Sequence, residues 1–315
     1  MRSMTSRLAI LAMSALAVLA GSVLVGTAPA SAHGTWPDGT STGYGTSPFT
    51  GTLNSPIGDQ IFTSSCGSPP CLHVLQNEHI VGKVVVGSGH HVAVFNSWIE
   101  GDDSDDIAVE TTGTGIAQVD YSTISGDFDV AGVYGRHISI TYTEFTDLPG
   151  TGAILNAGSE LRESWMHDFS TNASQVAHGV QVFDVWQGCQ GSGSYPSGCA
   201  SSTGGPSVFS ITVFHNFLQL DGNQWSALYA EPAFGTNPTG AQWYFQQNFF
   251  VGGASEAVHI ANPNNDLVWL NVRENHVMTG SSYTIETTNI NVLCRQEWDN
   301  YSATSYFTTP YGTLC

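Results

Sequence analysis

Lysine is almost missing from this chain. Lys83 is the only one, and with six arginines it faces 26 acidic residues, for a formal charge of −19. Arg2 and Arg7 lie in the first 32 residues, where no acidic residue falls, so the remainder carries −21. A field of that sign repels nucleic acid and anionic membrane surfaces, which removes both from the expected partners. It also repels acidic polysaccharides unless a cation or a local arginine offsets it.

Long apolar runs are scarce as well. The one present, from Leu8 to about Val25, follows Arg2 and Arg7 and leads into Ala30-Ser31-Ala32, the three parts of a secretory signal peptide. We read residues 1–32 as that signal, with a mature chain starting at His33, exported, soluble and monomeric. An amino-terminal histidine can ligate copper through its amine and ring, but a second nearby histidine is needed, and an accident of cleavage accounts for His33.

Cysteines lack the paired C-x-x-C spacing of metal sites. Six fall in three short-range couples, Cys66 with Cys71, Cys189 with Cys199 and Cys294 with Cys315, which in a secreted chain read as structural disulfides within loops.

Amphipathic helical patterning is nearly absent, which argues against a barrel or a doubly wound sheet with crossover helices. In its place is a repeat. Alternating strands end on a small polar anchor: Ser97, Ser122, Thr143, Ser164, Asn216, Asn248 and Asn275, successively 25, 21, 21, 52, 32 and 27 residues apart. Residues three and five before each anchor are nearly all apolar, and two after it stand Ile99, Ile124, Phe145, Met166, Leu218, Phe250 and Val277. Inward alternation on both sides of a tight bend explains that pattern, with the anchors as an internal polar ladder bonded to backbone. A second short strand precedes each anchor strand. A β-sandwich is the all-β alternative, but it does not explain a polar anchor recurring once per coil.

The repeat resembles the right-handed parallel β-helix of the pectate-lyase-like superfamily, particularly its secreted bacterial β-helix-repeat members. This implies an all-β solenoid over 73–292, an irregular lead-in over 33–72 that covers the first turn, and a disulfide-closed tail over 293–315. It also implies that substrate lies along the sheet built by the strand before the long loops. There the outward column is expected to be Ala108, Tyr134, Leu155, Gln181, Tyr229, His259 and Thr284, followed by Glu110, Arg136, Ala157, Phe183, Glu231, Ala261 and Glu286. With coils about 4.8 Å apart, Gln181, Tyr229 and His259 become neighbours beside Glu231 and Asp184.

The strand His178-Gly179-Val180-Gln181-Val182-Phe183-Asp184 is bracketed by an imidazole and a carboxylate, and His167-Asp168 feeds it. Loops at about 185–206 and 232–240 are expected to wall a cleft, with Trp186 and Trp225 available for sugar stacking. Two chemistries fit an extracellular polysaccharide. In a lyase, Arg136 or a cation neutralises the uronate while Tyr229 or His259 removes the neighbouring ring proton. In a hydrolase, Asp184 pairs with Glu231 or Asp168. A non-catalytic carbohydrate-binding protein is the third reading, and β-elimination leads. No family's catalytic residues transfer. Gly101-Asp102-Asp103 and His178-Gly179 match two pieces of a polygalacturonase-like set whose Arg-x-Lys is missing, and the arginines that flank a proline in pectate lyases are missing too.

Cofactors are not required by these motifs. Asp102-Asp103-Ser104-Asp105-Asp106 offers oxygen ligands of the kind Ca2+ takes, and an exposed acidic turn explains the run as well. A further outward column, Trp98, Glu144, Trp165, Phe217, Phe249 and His276, is expected to pack beneath a loop or a neighbouring molecule.

Overall fold

A computed structural model describes residues 36–48, 51–102, 105–169, 177–182, 210–220, 225–230, 241–251, 257–261, 267–277, 283–286, 294–298 and 301–302. The expected signal peptide, His33, Asp103 and the two wall loops lie outside them, as do Cys189, Cys199 and Cys315. The described chain is a right-handed parallel β-helix. Each of its nine coils contributes one strand to each of three parallel sheets, and each sheet therefore has nine strands. The first coil begins at Gln60–Phe62 and the last ends at Tyr301–Ser302, so strands reach into both the expected lead-in and the expected tail. Cys66 and Cys71 are joined, their Cα atoms 6.0 Å apart.

Apolar periodicity produces the interior. In the second sheet Val92, Ala117, Ile138, Ile211 and Trp243 stack at one level, and Val94, Val119, Ile140, Leu161, Val213, Phe245 and Val272 at the next, all essentially without solvent exposure. Ile99, Ile124, Phe145, Met166, Leu218 and Phe250 close the core from the third sheet.

Between the second and third sheets each of the first eight coils bends at one residue with positive φ. These are Asn77, Asn96, Tyr121, Tyr142, Glu163, His215, Gln247 and Glu274, at φ between 46° and 59°. Only asparagine among them enters that region readily, so the others carry a local cost of about 1 kcal/mol each. After each of the last seven the next residue is the anchor, and all seven anchors have 0% exposure. Hydroxyl and amide side chains there hold the backbone of the bend, which offsets the strain.

Part of the lead-in lies on the first coil, where Ile57 bridges Ile80 and Asn54 N–H donates to the Asn77 carbonyl at 2.7 Å. Trp36 to Pro48 runs along the outer face of the third sheet. Trp36 packs at 5.3, 5.4 and 5.2 Å from the rings of His215, Phe249 and His276, and Gly45 N–H reaches Asn96 Oδ1 at 2.9 Å. The predicted outward aromatic column thus lies beneath a segment of its own chain.

Candidate functional site

Strand register assembles the floor of the first sheet. From the first coil to the ninth the outward column is Ile61, Val85, Glu110, Tyr134, Ile154, Gln181, Tyr229, His259 and Thr284. Gln181 is therefore directly beside Tyr229, and Tyr229 beside His259, as the repeat required.

Two members of the predicted column are displaced. Leu155 pairs with Gly135 and has 0% exposure, so it faces the core and Ile154 takes its place. Ala108 lies between the pairs Ile107–Ala131 and Val109–Val133, two positions short of the column, and is fully buried. Glu110, expected one column over, takes that place. Ala157 is buried at 2% rather than outward.

His178 departs from the groove in another way. It is 3% exposed, in register with Ser226, and its Nδ1 lies 2.8 Å from Ser226 Oγ. Its backbone N–H donates to Thr151 Oγ1 at 3.3 Å. The ring stacks on Tyr229 with centroids 4.7 Å apart and planes 28° apart, and Tyr229 stacks on His259 at 4.8 Å and 8°. These three residues belong to successive coils, so the phenol lies between two imidazoles. Gly179 permits the close approach of coils here, because a Cβ at that position would come 2.7 Å from the Ala227 carbonyl oxygen.

Burial pushes the His178 imidazole down to about 4, with repulsion from His259 adding to the effect, so His178 is neutral near neutral pH. A buried neutral imidazole does not meet substrate. Tyr229 and His259 are half-buried, their facing ring surfaces are occupied by each other, and His259 Nδ1 is buried.

Arg136 is half-buried at the end of the strand Ala131–Gly135, where its backbone N–H donates to Thr111 Oγ1 at 2.9 Å. That strand is three rungs from Tyr229, about 14 Å along the axis at the usual strand spacing. Trp225, at the start of the Tyr229 strand, is 51% exposed, and its backbone N–H donates to the Ala177 carbonyl at 2.9 Å. Asp184, Trp186, Phe183 and Glu231 lie outside the described residues.

The acidic run is tied down by the sole lysine. Lys83 Nζ meets Asp105 Oδ1 at 3.1 Å, and the Asp105 side chain is only 5% exposed. Among the described residues no three His, Cys, Asp or Glu side chains come together as a metal ion would require.

Sequence reading missed a second titratable cluster. On the third sheet His167 lies between Glu144 Oε1, at 3.0 Å from Nε2, and Asp168 Oδ2, at 2.7 Å from Nδ1, with Trp165 stacked on its ring at 3.5 Å. The positions of Glu144 and Trp165 in one outward column were visible in the repeat. Their convergence on His167 was not. His167 and Asp168 belong to this cluster, hydrogen-bonded to each other, and His167 also bonds Glu144 of the third sheet.

No protein-family model, curated protein or solved structure matches this chain.

Proposed function

We propose that the protein is a secreted enzyme of the pectate-lyase-like kind that cleaves a uronate-containing extracellular polysaccharide by β-elimination along the first sheet. The observation that carries this reading is the stack of Tyr229 between His178 and His259, with Gln181 on the adjoining rung. Stacking consumes the ring faces and leaves Tyr Oη and His259 Nε2 as the polar edge groups that the proposal uses, an arrangement suited to moving a proton rather than to cradling a sugar face.

In the proposed step a base at Tyr229 or His259 accepts the proton on C5 of the uronate. That electron pair becomes the C4=C5 double bond, the C4–O4 bond breaks, and the departing oxygen takes a proton from the second edge group. The His178 ring packs against Tyr229. Gln181 offers amide donors to the uronate carboxyl as charge develops there. Arg136, about three rungs away, suits a different uronate of the same chain rather than the reacting one. Trp225 offers an indole for a further sugar.

The exposed Trp225 also favours a second reading, a carbohydrate-binding β-helix without chemistry. Incubation with neutral and uronate polysaccharides, with and without calcium, separates these. The proposal expects unsaturated product absorbing in the ultraviolet from a uronate polymer, and its loss in Tyr229→Phe or His259→Ala. Reducing ends without that absorbance would replace the lyase by a hydrolase. Binding with no cleavage of any polymer would leave the binding protein.

A further inference from the structure

The segment from Trp36 to Pro48 is held by a charge relay. His167 is 8% exposed and faces carboxylate oxygens at both ring nitrogens. A carboxylate only accepts, and a neutral imidazole has one N–H, so both contacts are satisfied together only by the imidazolium. Glu144 continues the chain, because its Oε2 accepts from Thr123 Oγ1 at 3.0 Å. The Thr123 hydroxyl has spent its proton there, and its oxygen accepts the backbone N–H of Tyr44 at 3.0 Å. Gly43 N–H donates to the Tyr142 carbonyl at 2.9 Å on one side, and Gly45 N–H to Asn96 Oδ1 on the other. Gly43 admits no side chain: it sits at φ 86°, and a Cβ would lie 2.8 Å from Glu144 Oε2. Gly39 rests against Trp165, which itself covers His167.

We infer that this segment is a pH-gated strap, latched across the third sheet while His167 carries its proton and released when that proton is lost. The inference concerns the sheet away from the proposed catalytic floor and does not depend on the lyase reading.

The surroundings of His167 support the direction. Burial alone would lower its pKa, but Glu144 and Asp168 outweigh burial and hold it above the ordinary histidine value. A group whose folded pKa is raised gives its stabilisation fully below its unfolded value and loses it as pH rises through the folded value. Release is therefore an alkaline event. The strap brings one charge of its own, Asp38, which is exposed and accepts from the backbone and hydroxyl of Thr40 at 2.9 and 2.7 Å. Asp147 shares the backbone turn of Asp168. His215, whose Nδ1 lies 2.6 Å from Glu163 Oε2, and His276 face the far end of the strap at Trp36. Releasing the strap uncovers Trp165, Phe249 and His276, the aromatic row on which it packs.

Hydrogen exchange of the mature chain, followed by mass spectrometry from pH 5 to 9 and corrected for intrinsic exchange, reads the latch at the amides of Gly43, Tyr44 and Gly45. Protection is expected to fall about tenfold as His167 deprotonates, the scale of one charge-assisted hydrogen bond. In His167→Gln the same amides should be less protected, with no step in pH. If that variant does not fold, Asp168→Asn decides: its side chain is 68% exposed, and losing one carboxylate should move the step to lower pH. Protection that is flat with pH in the wild type, a step that persists in His167→Gln, or a step unmoved by Asp168→Asn each overturns the latch.

Discussion

The bend between the second and third sheets is built differently in the two halves of the solenoid. In the earlier coils the anchors are Ser97, Ser122, Thr143 and Ser164, whose hydroxyls donate to the carbonyl two residues upstream in the same coil, at 2.8 to 3.0 Å. Each hydroxyl oxygen can also accept one N–H from the preceding bend, as Ser122 does from Ser97 and Ser164 from Thr143. Such an anchor ties two coils. In the later coils Asn216, Asn248 and Asn275 replace them, and each Nδ2 reaches back to a carbonyl of the preceding coil, that of Leu161, Val213 or Phe245. Asn216 and Asn248 also donate forward to the next Oδ1, at 2.9 and 3.0 Å. Asn216 and Asn248 therefore each tie three coils. The steps leading to these asparagines are the ones widened by insertions, and their coils carry Gln181, Tyr229 and His259. Where the chain leaves the solenoid for longest, the interior has the denser hydrogen bonding, and that interior supports the candidate floor.

The sharpest way to break this contrast is Asn248→Leu, nearly isosteric and apolar. It orphans the Val213 carbonyl, the backbone and side-chain donors of Asn216 and one bond to Asn275 Oδ1, all buried. At roughly 1 to 3 kcal/mol for each unsatisfied group, the loss is on the order of 5 kcal/mol, comparable with a domain's whole stability. Thermal unfolding should begin in the seventh coil and its neighbours, with Tm lower by 10 °C or more, because solenoid stability is set by adjacent repeats. A Tm within 3 °C of wild type would show that the asparagine bonds add nothing beyond packing.

Acid provides a second separation, because a buried histidine in the later half and a buried aspartate in the earlier half respond to it in opposite directions. His178, in the later half, has its folded pKa depressed from 6.5 to about 4, so its stabilisation is present above the unfolded value and is lost as pH falls from about 6.5 toward 4. The full loss is about 3 kcal/mol. Asp120, in the earlier half, is raised by burial, against hydrogen bonds from Thr141 and Gln118. Its stabilisation is present at low pH and is lost as pH rises through its folded value. Acidification should therefore loosen the first-sheet amides of Val180 and Leu228 in hydrogen exchange before those around Asp120. His178→Phe, which keeps the stack on Tyr229, should abolish that order. Uniform loosening along the solenoid would mean that His178 does not set the acid limit.

What was legible in the sequence follows from local burial. The anchors, the residues two beyond them and the Gln181–Tyr229–His259 row all came from a period-two alternation in which one face is apolar. The bend conformation was not legible, because Tyr121, Glu163 and Gln247 have no intrinsic preference for positive φ and are held there by their coils. Register failed at Leu155 because every residue of Thr151–Leu155 is buried, so alternation disappears where a strand is covered on both faces. The burial of His178 was not legible for a related reason. A histidine at the head of a strand reads the same whether it faces the groove or, as here, lies buried against Ser226. The latch at His167 joins residues 21 and 23 positions apart in sequence with one adjacent pair, a convergence that only the coil geometry produces.

Ser122→Ala gives the smallest effect and the finest test of the contrast. Ser122 Oγ donates to the Asp120 carbonyl at 2.9 Å and accepts the Ser97 N–H at 3.2 Å. Removing it leaves one buried donor unsatisfied and one carbonyl short of a partner, in a site too small for a large cavity. About 1 kcal/mol is expected, a Tm shift of a few degrees, well below that of Asn248→Leu. The loss should stay within the coils of Ser97 and Ser122, because the hydroxyl binds no carbonyl beyond its own coil. Exchange at Val119 and Val94 should quicken while that at Val213 and Phe245 stays unchanged. If Ser122→Ala matched Asn248→Leu in size or reach, the two halves would be equivalent ladders, and the asparagines would owe their place to something other than the number of coils they join.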